Sequence, residues 1–104
     1  MVIKRLLKNC IHFFDAEFLN FPDYVLNWGI DKHVIKIDVN QPIVSCVWST
    51  SGMELVSSNG TTATVIFGSP VTAEIMVVIT TIYGEVYKLK RPYMTQITTL
   101  TRMQ

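Results

Sequence analysis

Charge is scarce in this chain. Charged residues occupy 16% of its 104 positions, against about 25% in a typical soluble domain. Nine basic and eight acidic side chains leave a net charge of +1. The basic residues are scattered, so the clustered positive face that a nucleic-acid binder needs is missing. Cysteine is also scarce: Cys10 and Cys46 cannot define a disulfide framework. They fall in segments with no reason to meet, so both are expected as free thiols, Cys46 acting as a small buried hydrophobe. The two histidines, His12 and His33, lie in different segments, and no CxxC, HExxH or Asp-rich loop offers metal-ligand spacing. Five isolated glycines exclude a glycine-rich phosphate loop. The carboxylates show no acid/base pairing, and Cys46, on an inward strand face, is a poor nucleophile. These absences argue against an enzyme, and no cofactor or metal is expected.

Long apolar runs are missing as well. The opening MVIKRLLKNCIHFF resembles a signal peptide only superficially. Lys8, Asn9 and His12 break the run early, no small-residue cleavage site follows, and the segment is too short to span a membrane.

Period-2 alternation is present in abundance. Ile35, Ile37 and Val39 alternate with Lys36 and Asp38, the mark of a strand with one buried face. From Ile43 to Ser49, the residues Val44, Cys46 and Trp48 share one face and Ser45 and Ser49 the other. Ala63, Val65 and Phe67 repeat the pattern, and Ile75, Val77 and Ile79 mark a long β-branched strand suited to the centre of a sheet. Trp48, Phe67, Ile75, Val77 and Ile79 are therefore the candidate core. A weaker strand is read over Met53–Ser57 and another in the alternation of Tyr24, Leu26, Trp28 and Ile30. Gln41-Pro42, Ser51-Gly52, Asn59-Gly60, Gly68-Ser69-Pro70 and Tyr83-Gly84 punctuate these runs with turn chemistry. About seven strands, with turns roughly every 8 to 12 residues, predict an all-β, immunoglobulin-like antiparallel sandwich.

The expected division is an arm over residues 1–22, the sandwich over 23–92 and a tail over 93–104. Ile3, Leu7, Cys10 and Phe14 recur at helical spacing, so the arm reads either as a short amphipathic helix or as an irregular arm or extra edge strand. Its Leu6, Leu7, Phe13, Phe14 and Phe18 are the candidate partner interface, having no evident strand partner of their own. The tail can form a last strand that adds to a partner's sheet edge. With 49% apolar residues and few charges, the surface must be largely Thr, Ser and apolar, which points to a subunit of something larger.

Four segments carry a family resemblance: DYVLNWGID, PIVSCVW, TTATVIFGS and VVITTIYGE. Over Tyr24–Lys90 the chain resembles the small immunoglobulin-like proteins of tailed bacteriophages known as fiber-tail adaptor or neck proteins. Those sequences share an early-strand tryptophan, a TATV-type strand ending in glycine and an I-T-T-x-x-G hairpin. Here the glycine pair after the TATV-type strand reads Gly68-Ser69, and Glu85 stands where a basic residue is usual. The resemblance implies a virion structural protein, assembled in the host cytoplasm, that forms a homo-oligomeric ring and contacts connector, tail tube or fiber proteins. It implies neither nucleic-acid nor membrane binding. The alternative is a surface immunoglobulin-like domain that binds carbohydrate or a host receptor through exposed aromatics, with Tyr83 and Tyr93 as candidates.

Overall fold

A computed structural model describes residues 14–103. They form eight strands: β1 (Ala16–Phe18), β2 (Lys32–Val39), β3 (Ile43–Ser51), β4 (Met53–Asn59), β5 (Thr62–Phe67), β6 (Glu74–Thr81), β7 (Val86–Pro92) and β8 (Thr99–Arg102). No helix occurs among the described residues, and the helical reading of the arm lies over residues 1–13, outside them.

The strands make two antiparallel four-stranded sheets, ordered β1-β2-β5-β4 and β3-β6-β7-β8. The first order, and β3-β6-β7 in the second, match the constant-type immunoglobulin arrangement. β8 is an addition beside β7. Strands that cross between sheets do so because each has one apolar face, and only two such faces pressed together remove both from water. The seam is filled by alternate residues: Ile35 and Ile37 of β2, Ala63, Val65 and Phe67 of β5, Ile75, Val77 and Ile79 of β6, and Leu89 of β7. Trp48 is buried with them, and its indole Nε1–H donates to the Gly60 carbonyl at 2.8 Å, so the polar edge of the ring is satisfied.

The passage from β3 to β4 takes one residue. Gly52, at φ +65°, turns the chain from one sheet to the other, and its carbonyl accepts from Gly68 N and Ser69 N, both at 2.9 Å. A side chain there would sit 2.5 Å from the Thr72 carbonyl carbon and 2.7 Å from Ala73 N, so glycine is required twice, by conformation and by space. The β4–β5 hairpin is closed by Gly60-Thr61, with Asn59 paired to Thr62. Gly60 alone has positive φ, +59°, the pattern of a type II′ turn with glycine first.

Four expectations are corrected. The sandwich extends beyond 23–92 at both sides: β1 pairs with β2 through Ala16–Val39 and Phe18–Ile37, and β8 pairs with β7 of its own sheet, not with a partner's edge. Phe14 and Phe18 belong to this domain's core, at 6% and 9% exposure. Phe14 stacks on Tyr87 at 4.3 Å, and Phe18 packs near Phe21 and Trp48. Residues 24–30 form loop, with Tyr24, Leu26 and Ile30 exposed and Val25 buried. Val44 points outward because the register slips between Ile43 and Ser45. A bulge inserts one residue and so reverses the facing on its far side.

Candidate functional site

The strand directions give the sandwich two unlike ends. At the entry end the chain enters at Phe14 and leaves at Met103, and the connections are short: residues 40–42, 60–61 and 82–85. At the opposite end lie the long connections, residues 19–31, 68–73 and 93–98.

The long loops are seated on an aromatic cluster centred on Phe67. Phe21, Trp28, His33 and Tyr93 surround that ring with centroids at 5.7, 5.9, 5.3 and 5.7 Å, all edge-on to it. Trp28 also meets Tyr93 edge-to-face at 5.1 Å. The Arg91 guanidinium lies 4.3 Å over Phe21, a cation–π contact that covers the ring's outer face. Such rings hold position through the attraction of positive edge for negative face as well as through buried area. Hydrogen bonds then tie loop to loop. Gly29 N donates to the Phe67 carbonyl at 2.6 Å and Tyr93 N to the Ala73 carbonyl at 2.8 Å. The Asp23 carbonyl accepts from Gln96 Nε2 at 3.2 Å and from the Tyr93 hydroxyl at 3.4 Å.

On this support stands an apolar crown. Tyr24, Leu26 and Ile30 from the first loop, Val71 from the second, and Met94 and Ile97 from the third are 63% to 76% exposed. Single exposed hydrophobics are ordinary on a protein surface, but several on adjoining, mutually bonded loops mark an interaction surface. The charged side chains of the three loops are Asp23 and Asp31, with Lys32 directly after the first loop and the Arg91 guanidinium over Phe21 as neighbouring cations.

The entry end differs in chemistry. Thr81, fully buried, accepts at Oγ1 from Tyr83 N and Glu85 N and closes the β6–β7 turn. Glu85 accepts from the Tyr87 hydroxyl at 2.8 Å and pairs with Arg102 at 3.3 Å. Burial, the hydrogen bond to Glu85 and its negative charge all push the Tyr87 phenol above its usual range, with Arg102 pulling the other way. Nearby, Asp15, Ala16, Glu17, Asp38, Val39 and Asn40 line an open cleft of about 130 Å3. No group of three or more His, Cys, Asp or Glu among the described residues could hold a metal ion.

Of the sequence-derived sites, Trp48, Phe67, Ile75, Val77 and Ile79 are all buried together. Leu6, Leu7, Phe13 and Cys10 lie outside the described residues. Cys46 is a half-buried free thiol, and burial raises its pKa, which lowers its thiolate fraction. His33 faces inward with its ring edge-on to Phe67, and its Nε2 is buried without a hydrogen-bond partner. Tyr83 and Tyr93 lie at opposite ends of the sandwich, and Tyr93 is packed into the aromatic cluster. The crown was missed from sequence because its members come from three loops. The one available signal, the alternation of Tyr24, Leu26 and Ile30, reads equally well as a strand face. No family model matches the chain, and neither a curated protein nor a solved structure does.

Proposed function

We propose that the chain is a non-enzymatic structural protein of a phage virion, a neck or tail adaptor that joins fibers or neighbouring ring proteins. The observation that carries this reading is the two-ended layout. An apolar crown on braced loops occupies one end, and at the other, where the described chain begins at Phe14, Ile82, Tyr83 and Met103 are exposed. An adaptor needs two separated contact surfaces held at a fixed distance, and a sandwich with a buried seam is a rigid spacer between them. Many copies around a symmetric ring then sum weak contacts into a durable attachment. The sequence resemblance supplies the phage context.

The carbohydrate-binding alternative needs exposed aromatics grouped on one surface. Tyr83 and Tyr24 are both exposed, but they stand at opposite ends, which disfavours it.

The direct test is to locate the chain in purified particles of the encoding phage, by mass spectrometry and by gold-labelled antibody in electron micrographs. A fixed copy number with label at the neck or tail is expected. Its absence from purified particles, with the protein present in the infected lysate, refutes the reading.

A further inference from the structure

Each sheet of the sandwich has two edges, and three of the four are blunted. β1 is three residues long, and β8 is four, with Arg102 at its end. β4 carries Glu54 and is interrupted mid-strand by a bulge between Leu55 and Ser57. β3 is the exception. It runs for nine residues with no charged side chain, and its one irregularity, between Ile43 and Ser45, leaves residues 45–51 regular. Natural sheets shorten, charge or bulge an edge to keep other strands off it, so a long uncharged edge is a pairing surface.

Backbone directions define what this edge offers. Ile82 N donates to the Pro42 carbonyl and Thr81 N to the Glu85 carbonyl, so the even-numbered residues of β6 bond toward β3 and the odd-numbered ones toward β7. Ser45, Val47 and Ser49 stand opposite Thr80, Val78 and Met76, and direct their N–H and C=O groups at β6. The backbone groups of Cys46, Trp48 and Thr50 therefore point the other way, and no described strand pairs with them. Between them, on the outer face, Val47 is 62% exposed. Variable-type immunoglobulin sheets continue with further strands beyond this same position.

We infer that β3 is a dimer interface, pairing antiparallel with β3 of a second copy about a twofold axis beside Val47. Charge selects a second copy. A strand paired with itself sets like charges close together, and β3 has none to set. Its charged neighbours, Glu74 opposite Ser51 and Glu54 at the start of β4, both lie at the crown end, and antiparallel pairing carries the two crown ends apart. Lys88 and Lys90 stand two strands in, on β7. Facing then selects the register. Both buried faces must stay on one side of the joined sheet, which a slip of one residue would undo. Among the registers left, Val47 on Val47 covers an exposed apolar side chain with another, whereas the next one to either side sets it against Ser45 or Ser49. In this register Cys46 of each copy meets Trp48 of the other, so outward backbone groups face outward backbone groups. Val47 falls at a non-hydrogen-bonded pair, where side chains approach most closely. The pair holds its two crowns at opposite ends, an arrangement that bridges two like partners.

The pairing goes beyond the adaptor reading and does not depend on it, so its failure leaves that reading standing. Sedimentation of the full-length protein over a concentration series should show monomer and dimer. Val47→Lys sets two cations together at the axis and should weaken the dimer about tenfold or more, as should Val47→Glu. An equimolar mixture of the two variants should recover pairing as one-to-one heterodimers, which rising salt weakens. Melting at dilutions where the wild type is monomeric should be unchanged, since Val47 is exposed.

Cross-linking fixes the register and decides the matter should either charged variant fail to fold. In a Cys10→Ala, Cys46→Ala background with a mild added oxidant, Val47→Cys should form a disulfide-linked dimer, its Cα atoms about 4.5 Å apart across the axis. Ser49→Cys should not, because its two copies lie four positions apart along the strands, about 13 Å. Wild-type protein that stays monomeric throughout, self-association indifferent to Val47→Lys, or cross-linking through residue 49 in place of 47 overturns the inference.

Discussion

The two ends of this sandwich solve the same problem, returning the chain to the next strand, by different means. At the entry end the returns are short and their geometry is local: Gly60 and Gly84 take positive φ, and Thr81 caps the turn that follows β6 through its own hydroxyl. At the crown end Gly52 alone makes the β3–β4 return, and the other three connections are long, with local turns at Gly29 and Gln96 but an overall path that no local rule sets. Their form comes from rings brought together from β1–β2, β5 and β7–β8 around Phe67. Short turns therefore stand on backbone conformational preference, long loops on packing. A surface built by packing can expose apolar side chains in a fixed arrangement, and a two-residue turn has no room for that.

The largest effect should come from removing the support itself. Phe67→Ala is expected to cost about 3 to 5 kcal/mol and to release the crown loops. Trp48→Ala should cost a similar amount while leaving those loops protected, because Trp48 is tied to Gly60 at the other end. Chemical denaturation with residue-resolved hydrogen exchange distinguishes them. Equal loss of crown protection in both would break the distinction between the ends.

Two glycines sharpen the same contrast. Gly52→Ala meets both positive φ and the backbone of Thr72 and Ala73, and should cost more than the roughly 1 to 2 kcal/mol of left-handed strain alone. Gly60→Ala has open space around it and should cost only that strain. Equal losses would show that the β3–β4 crossing tolerates a shift the packing argument denies.

Within the first loop, Val25→Ala should cost about 1.5 kcal/mol, two methyl groups at roughly 0.8 each, because Val25 is buried. Its neighbour Leu26, 74% exposed, should tolerate Leu26→Ser within about 0.5 kcal/mol. The reverse ranking in denaturant midpoints would restore the strand reading of residues 24–30.

The smallest effect belongs to the charged end. Glu85→Gln should change stability near neutral pH by no more than about 0.5 kcal/mol, since Arg102 is half-exposed. Tyr87 holds its proton more tightly folded than unfolded. The stability from that shift is complete below the unfolded tyrosine range and is lost as pH rises through the raised folded value. Loss of the Glu85 carboxylate should therefore lower the pH at which Tyr87 ionises, read by carbon NMR of its ring, and move the alkaline loss of stability the same way. An unmoved titration would show that burial alone sets this phenol.

Strand identity from Ile35 to Ile79 was legible in the residues themselves, because a half-buried strand must alternate and β-branched runs such as Ile75–Ile79 fit a pleated surface. The immunoglobulin-like class followed from strand number and turn spacing. The same local rule misled wherever context reversed it: the bulge turned Val44 outward, and the alternation from Tyr24 to Ile30 became a loop whose buried residue is Val25. No local pattern could show that Phe14 and Phe18 close their own core, since their partners Tyr87 and Trp48 lie far along the chain. Sequence by itself determined the strands between Ile35 and Ile79, through periodicity and conformational preference that act over a few positions. The tertiary structure alone decided which apolar side chains are left over as a surface, because burial is settled by what the rest of the chain places against each one.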